Sequence, residues 1–282
     1  MPSALSPSEN AHLPSDTPPL NAMLLAAGRG ERMRPLTDET PKPLLKVHER
    51  ALLDWHVAAL LRDGVNGLVI NTAWLGDHIP QHLNAEWPAL AAQQRLHYSH
   101  EARDFGHALE TAGGIARALP LLGEAFWLAA GDVFVPDFVF DPARAQAFAQ
   151  SSDLAHLWLV PNPAHNPKGD FALQESTLGS GEADGVGRVL NVAKDEPSEF
   201  PRFTYSTIAL LKAELFRSPW CSIAPGNPEG VAEALAPLLR RAMDAGRVSG
   251  QIYTGRWTDV GTPERLAQLN AEPLLASETA LK

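Results

Sequence analysis

The sequence predicts an α/β protein built on a doubly wound, mixed and mostly parallel sheet of Rossmann-like type. Three observations predict it. Short, almost wholly apolar runs recur (AMLLAA, GLVIN, AFWLAA), as strands buried on both faces require. Segments of helical periodicity separate these runs. The first run ends at Gly28-Arg29-Gly30, where a chain leaving a buried strand can turn sharply. With 282 residues, 45% of them hydrophobic and 20% charged, the chain can bury one large core.

Residues 22–27 form the first predicted strand. Residues 51–62 set Leu52, Leu53, Val57, Leu60 and Leu61 at helical spacing, and Gly64 follows as a C-terminal cap. Strands at 67–71 and 95–99, a helix over about 112–119 and a strand at 125–130 continue the alternation. In such a sheet the ligand crevice lies beyond the carboxyl ends of the strands. The second half carries strands at 154–160, 188–192 and 202–211, with a Gly-rich stretch at 179–187. A helix over about 231–245, a strand near 247–254 and a helix opened by Pro263 complete it. This half is expected to extend the sheet and to wall one side of the crevice. Residues 1–20, rich in Pro and Ser and without Lys or Arg, read as a disordered leader; residues 21–282 read as one domain.

Charge narrows the partners. The formal net charge is −10, with 23 Lys plus Arg against 33 Asp plus Glu, which disfavours nucleic-acid polymers and acidic membranes. No apolar stretch reaches the length of a membrane span. The single cysteine, Cys221, allows no internal disulfide, which fits a reducing cytoplasm. Yet six basic residues, Arg29, Arg32, Arg34, Lys42, Lys46 and Arg50, fall within 22 positions beside the glycine turn, against four acids. Pro35, Pro41 and Pro43 stiffen that segment, so Lys42 loses less entropy on being fixed. A glycine turn with a rigid basic tail suits a polyphosphate, although a tight turn with a solvated surface run gives the same residues. A Walker loop does not occur, and Met33 fills the third position of a dinucleotide fingerprint, which disfavours an NAD dehydrogenase.

Two acids are candidate metal ligands, the first of them at the carboxyl end of a predicted strand. Asp132 ends the run AFWLAAGD, and Asp259 lies in Trp257-Thr258-Asp259-Val260-Gly261-Thr262-Pro263; each also reads as an ordinary turn residue. His78 and His82, four apart on a predicted helix, lack the Glu of a zinc-binding H-E-x-x-H and read as a surface face.

The run LLAAGRGERMRPLTDETPKPLLKV, over residues 24–47, resembles the signature of the sugar-1-phosphate nucleotidylyltransferases: an apolar strand, a G-x-G-x-R-[LM]-x-P-x-T loop and a P-K-x-L segment. The late W-x-D-V-G-T-P segment and the G-D after the strand at 125–130 resemble the family as well. The resemblance implies transfer of a nucleotidyl group from a nucleoside triphosphate to a sugar 1-phosphate, with Mg²⁺ held by Asp132 and Asp259. It implies catalytic roles for Arg32 and Lys42, and a nucleotide site of Gly28, Gly30, Glu31, Arg32, Lys42, Thr111 and Gly113. The last two belong to LETAGGI (109–115), which otherwise reads as a helix start capped by Thr111.

Within the family the chain is most similar to a short branch that joins UTP to N-acetylmuramate 1-phosphate, on the segments GERMRPLT, INTAWLG, LETAGGI and Gly169-Asp170-Phe171. It departs from the wider family where an E-K-P segment would clamp the sugar phosphate. Lys194-Asp195-Glu196-Pro197 stands there instead, leaving Lys194 and Asp170 as the candidates on the sugar side, the latter also readable as a turn residue. Guanylyl or thymidylyl transfer to mannose or glucose 1-phosphate, and a non-catalytic nucleotide-sugar sensor, remain open at this level.

Overall fold

The computed structural model describes residues 20–175, 185–193 and 196–274. Most of the predicted leader and Lys194 lie outside these residues. In chain order the strands are β1 (Asn21–Leu25), β2 (Lys46–Val47), β3 (Arg50–Ala51), β4 (Leu68–Thr72), β5 (Leu96–His100), β6 (Ala125–Ala130) and β7 (Val133–Phe134). They continue with β8 (Ala155–Val160), β9 (Phe171–Glu175), β10 (Gly187–Leu190), β11 (Arg202–Lys212), β12 (Val248–Ile252) and β13 (Thr258–Asp259). The helices are α1 (Leu52–Arg62), α2 (His78–Glu86), α3 (Pro88–Ala92), α4 (Glu101–Phe105), α5 (Glu110–Leu122), α6 (Pro142–Gln150), α7 (Leu235–Asp244) and α8 (Pro263–Ala271).

Nine strands make one sheet in the order β5-β4-β1-β6-β11-β8-β12-β10-β9. The strands β5, β4, β1 and β6 run parallel, β11 is antiparallel to both β6 and β8, and β8 is parallel to β12. The carboxyl ends of β1, β4, β6, β8 and β12 therefore share one edge. The sheet is mixed because the second half adds its strands partly as antiparallel neighbours.

Alternation along β1 shows why the sheet is covered on both faces. Ala22 and Leu24 join a cluster with Leu53, Val57 and Leu60 of α1, while Met23 joins another with Ile115 and Leu119 of α5 and Leu238 of α7. Apolar residues on both sides of one strand leave no solvent face, as a central parallel strand demands. Gly64, at φ +79° just beyond α1, lets the Val65 N–H reach back to the Leu60 carbonyl at 2.9 Å.

A third, smaller cluster positions the glycine loop. Met33, fully buried, packs with Leu45, Val47, Leu52, Trp55, Phe134, Val260, Leu266 and Leu269. The residue in the third fingerprint position is thus an apolar anchor that fastens the loop to the segment around Asp259.

Two helix starts differ from expectation. Helix α7 begins at Leu235, not near Val231, because the preceding segment is held extended against α5: Glu233 O accepts from Ala112 N (2.8 Å) and Gly113 N (3.1 Å), and Glu233 N donates to Leu109 O (3.1 Å). Helix α5 begins at Glu110 with Leu109 in the cap position and no side-chain cap, so Thr111 does not cap it.

Candidate active site

The loop after β1 crosses the carboxyl edge of the sheet. Gly30 has φ +64°, a conformation that glycine adopts without penalty, and its α-carbon faces the Lys42 side chain so closely that a Cβ would stand 3.1 Å from Lys42 Cβ. A Cβ on Gly28 would meet nothing within 4 Å. Open space therefore lies directly over the backbone at Gly28, where a bulky polyanion can approach.

The basic residues of this segment divide by what they touch. The Arg29 guanidinium lies 3.5 Å from the centroid of the Trp74 ring and donates to the Thr37 carbonyl at 2.9 Å, where Trp74 Nε1 also donates. Arg34 pairs with Asp38 at 2.8 Å, and Arg50 stacks against Trp55 and Trp87. These three brace the fold. Among the described residues Arg32 and Glu31 make no ion pair, and both side chains are exposed at the loop. Lys42, in contrast, is buried, and its Nζ donates to Asp132 Oδ2 at 2.6 Å. Stiff backbone on both sides, from Pro41 and Pro43, carries the ammonium to the end of β6.

Asp132 and Asp259 come from remote segments and meet through their backbones. Strands β7 and β13 pair with Asp259 opposite Val133, and Val260 N donates to Asp132 O at 3.1 Å. Their carboxylates hold different cations. Asp132 takes Lys42; Asp259 Oδ2 accepts from Arg265 Nη1 at 2.6 Å and lies 3.3 Å from His165 Nε2. Two adjacent acids whose charge must already be balanced by cations fit a divalent ion that takes one or two carboxylates and completes its shell with phosphate oxygens and water. Among the described residues no three His, Cys, Asp or Glu side chains gather to hold a metal on their own. His82 serves elsewhere, bonding Asp54 at 2.8 Å.

A buried polar chain ties the loop to the start of α5. Ala26 N donates to Asn71 Oδ1 (2.8 Å), Asn71 Nδ2 donates to Glu101 Oε1 (2.8 Å), and Leu109 N donates to Glu101 Oε2 (2.7 Å). Glu101 is wholly buried, and burial pushes its carboxyl above the usual carboxylate range against the pull of those two bonds. Gly114 makes room for it, since a Cβ there would stand 2.5 Å from Glu101 Oε1. Sequence reasoning missed both residues. The available signal was a polar Asn closing an otherwise apolar strand.

Two residues expected at the substrates also have internal partners. Gly113, expected in the nucleotide site, has its α-carbon covered by the Val231 carbonyl, 2.3 Å from where a Cβ would be, and its N–H goes to Glu233 O. Its glycine is required by packing of the 231–234 segment. Asp170 accepts from Tyr205 N (2.9 Å) and Asn166 Nδ2 (3.1 Å), so it braces the loop before β9 as a turn residue does. Thr111 remains half-exposed on the first turn of α5.

The open glycine loop, the Lys42–Asp132 pair and Asp259 thus stand together at one edge of the sheet. A nucleotidyl transferase family model matches residues 21–198, and the chain belongs to that family. An N-acetylmuramate alpha-1-phosphate uridylyltransferase of Neisseria meningitidis serogroup B is 43% identical over 254 residues, covering 89% of this chain and 97% of its own length. One of the same description from Caulobacter vibrioides is 32% identical over 269 residues, covering 92% and 98%. Among solved structures, a Bacillus anthracis chain described as a glucose-1-phosphate thymidylyltransferase superposes with a TM-score of 0.66 at 16% identity, over 92% of this chain and 98% of that one. At that identity it shows the fold, a Rossmann-like nucleotidyltransferase sheet.

Proposed function

We propose that this protein transfers UMP from UTP to N-acetylmuramate 1-phosphate, releasing pyrophosphate, as part of cell-wall sugar recycling. The observation that carries the transfer chemistry is the Lys42–Asp132 contact, which sets a buried ammonium and a carboxylate at the strand edge beneath the glycine loop. The uridylyl group and the sugar rest on the two near-full-length relatives.

A phosphate oxygen of the sugar 1-phosphate attacks the α-phosphorus in line. The new P–O bond forms as the bond from the α-phosphorus to the bridging oxygen breaks, and the electron pair leaves on pyrophosphate. The difficulty is electrostatic, because two anions must meet. Gly28 gives the triphosphate unobstructed backbone, Gly30 makes the left-handed turn that seats the loop against Lys42, and Arg32, exposed on the loop, neutralises the triphosphate. Lys42 places its charge at the phosphorus under attack. Asp132 and Asp259 would hold Mg²⁺, which when bound supplies further charge neutralisation on the triphosphate. Lys194 is proposed to clamp the sugar phosphate. Asp170 shapes the sugar side by holding the 161–169 loop.

Pyrophosphate release measured across UTP, GTP, dTTP and CTP, each with N-acetylmuramate, glucose and mannose 1-phosphates, tests this reading. Turnover is expected with UTP and N-acetylmuramate 1-phosphate. Preference for mannose or glucose 1-phosphate would reject the sugar assignment, and absence of pyrophosphate with every pair would reject the enzyme.

A further inference from the structure

A cavity of about 430 Å³ opens beside Asp259, within the range of small-molecule sites. Its walls come from three places at the substrate edge: His165 on the loop after β8, Trp257 in the segment after β12, and Arg265 with Gln268 on α8. Each wall is held. Asn162 Nδ2 donates to Arg202 O at 3.0 Å and Asn162 Oδ1 accepts from Thr204 Oγ1 at 3.0 Å, which pins the loop bearing His165. Trp257 Nε1 donates to Ser206 O at 3.0 Å. Arg265 lies in the first turn of α8, whose start Thr262 caps.

Two nitrogen-bearing side chains in this cavity, Arg265 and His165, converge on one carboxylate. Arg265 Nη1 stands 2.6 Å from Asp259 Oδ2 and 3.3 Å from His165 Nε2, and His165 Nε2 stands 3.3 Å from the same Asp259 oxygen. The arrangement is a carboxylate receptor presently filled by the protein's own acid. A guanidinium presents five donors in a fixed fork, so it can hold more than one acceptor and matches a planar carboxylate in particular.

Resting on the sugar assignment above, we infer that Arg265 and His165 form the subsite for the carboxylate of the sugar substrate. N-acetylmuramate differs from N-acetylglucosamine by a lactyl ether on O3 that ends in a carboxylate. Were the anomeric phosphate to lie at the Asp132 and Asp259 edge, the O3 substituent would reach about a ring's width beyond it, a span that the cavity beside Asp259 offers. The pair therefore recognises the charge that distinguishes this sugar from its neutral counterpart. Were Asp259 to hold Mg²⁺, Arg265 and His165 would face the cavity without their present carboxylate partner, and the sugar carboxylate would supply that charge.

The test compares UTP-dependent kcat/KM for N-acetylmuramate 1-phosphate and N-acetylglucosamine 1-phosphate in the wild type, Arg265→Gln, Arg265→Lys and His165→Gln. Calorimetric binding of UDP-N-acetylmuramate and UDP-N-acetylglucosamine in the presence of Mg²⁺ and without pyrophosphate adds a readout independent of turnover. A charged hydrogen bond lost from one sugar alone should lower the ratio of the two kcat/KM values by about tenfold to a hundredfold in Arg265→Gln. Arg265→Lys is expected to retain part of the preference, and His165→Gln to lose a smaller part. The binding ratio should fall in parallel. Equal losses on both sugars, with the binding ratio unchanged, would mean that Arg265 acts only by holding Asp259 and would overturn the inference. Wild-type turnover confined to neutral sugar phosphates would instead overturn the sugar assignment, and the subsite with it.

Discussion

Lys42 Nζ and Asp132 Oδ2 stand 2.6 Å apart although ninety positions separate them in the chain. The lysine is buried while the Asp132 side chain keeps 38% exposure, so the pair opens toward the crevice from one side only. A cation fixed in this way costs little reorganisation when a phosphate arrives.

Replacing Lys42 therefore separates catalysis from stability. Lys42→Met is expected to lower kcat by at least about 100-fold, as loss of one preorganised charge does. Because Asp132 can be solvated once freed, the folding cost should stay within about 1 kcal/mol. Steady-state kinetics beside a denaturation curve check both parts; full turnover would remove Lys42 from the mechanism.

Asn71→Ala should damage both. It strips the Ala26 N–H of its acceptor and the buried Glu101 carboxylate of one donor, each worth roughly 1–3 kcal/mol when orphaned. The glycine loop and the start of α5 are no longer tied, so the KM for nucleotide should rise as the denaturation midpoint falls. A variant with wild-type midpoint and KM would show that the polar chain positions nothing.

Two glycines should respond in opposite ways. In Gly28→Ala the new methyl meets no protein atom, so stability should change by less than about 0.5 kcal/mol. That methyl occupies phosphate space, and nucleotide Kd should weaken about tenfold or more. Gly113→Ala, inside a helix, would ordinarily gain nearly 1 kcal/mol. Here the methyl would press on the Val231 carbonyl, and a net loss of about 1–3 kcal/mol is expected. Thermal melts and nucleotide titration of the two variants decide it.

Acid should weaken the fold through His156. Its ring is buried between β8 and β12, bonding Ser249 and Gln251, and burial with the nearby Arg144 charge brings its pKa down to about 4 from an ordinary 6.5. The unfolded chain takes up a proton below about pH 6.5 while the native ring stays neutral. Stability is thus fully present above that pH and is lost as pH falls toward 4, with a slope of up to about 1.4 kcal/mol per pH unit from this residue. Urea unfolding at a series of pH values measures the slope, and His156→Gln should flatten it. An unchanged slope in the variant would assign the acid sensitivity to other groups.

The strands and the glycine loop were legible because they rest on local pattern. AMLLAA and AFWLAA suit strands buried on both faces, and β1 and β6 form there. Lys42 and Asp132 could be named singly but not as a pair, since their contact depends on the sheet placing β6 beside β1. The packing need at Gly113 was hidden for the same reason: it comes from the 231–234 segment, more than a hundred residues away, which also delays the start of α7. Asn71 left a trace, as a polar residue in an apolar strand, whereas Glu101 left none, because a buried acid looks like any surface acid until its partners are placed. Met33 read as a broken fingerprint, whereas in the fold it is the loop's apolar anchor.

That anchor couples two distant parts of the chain. Val260, Leu266 and Leu269, which complete the cluster around Met33, lie more than two hundred positions beyond it. The floor under the glycine loop therefore exists only with α8 docked, and a substitution that loosens α8 should be felt at the loop.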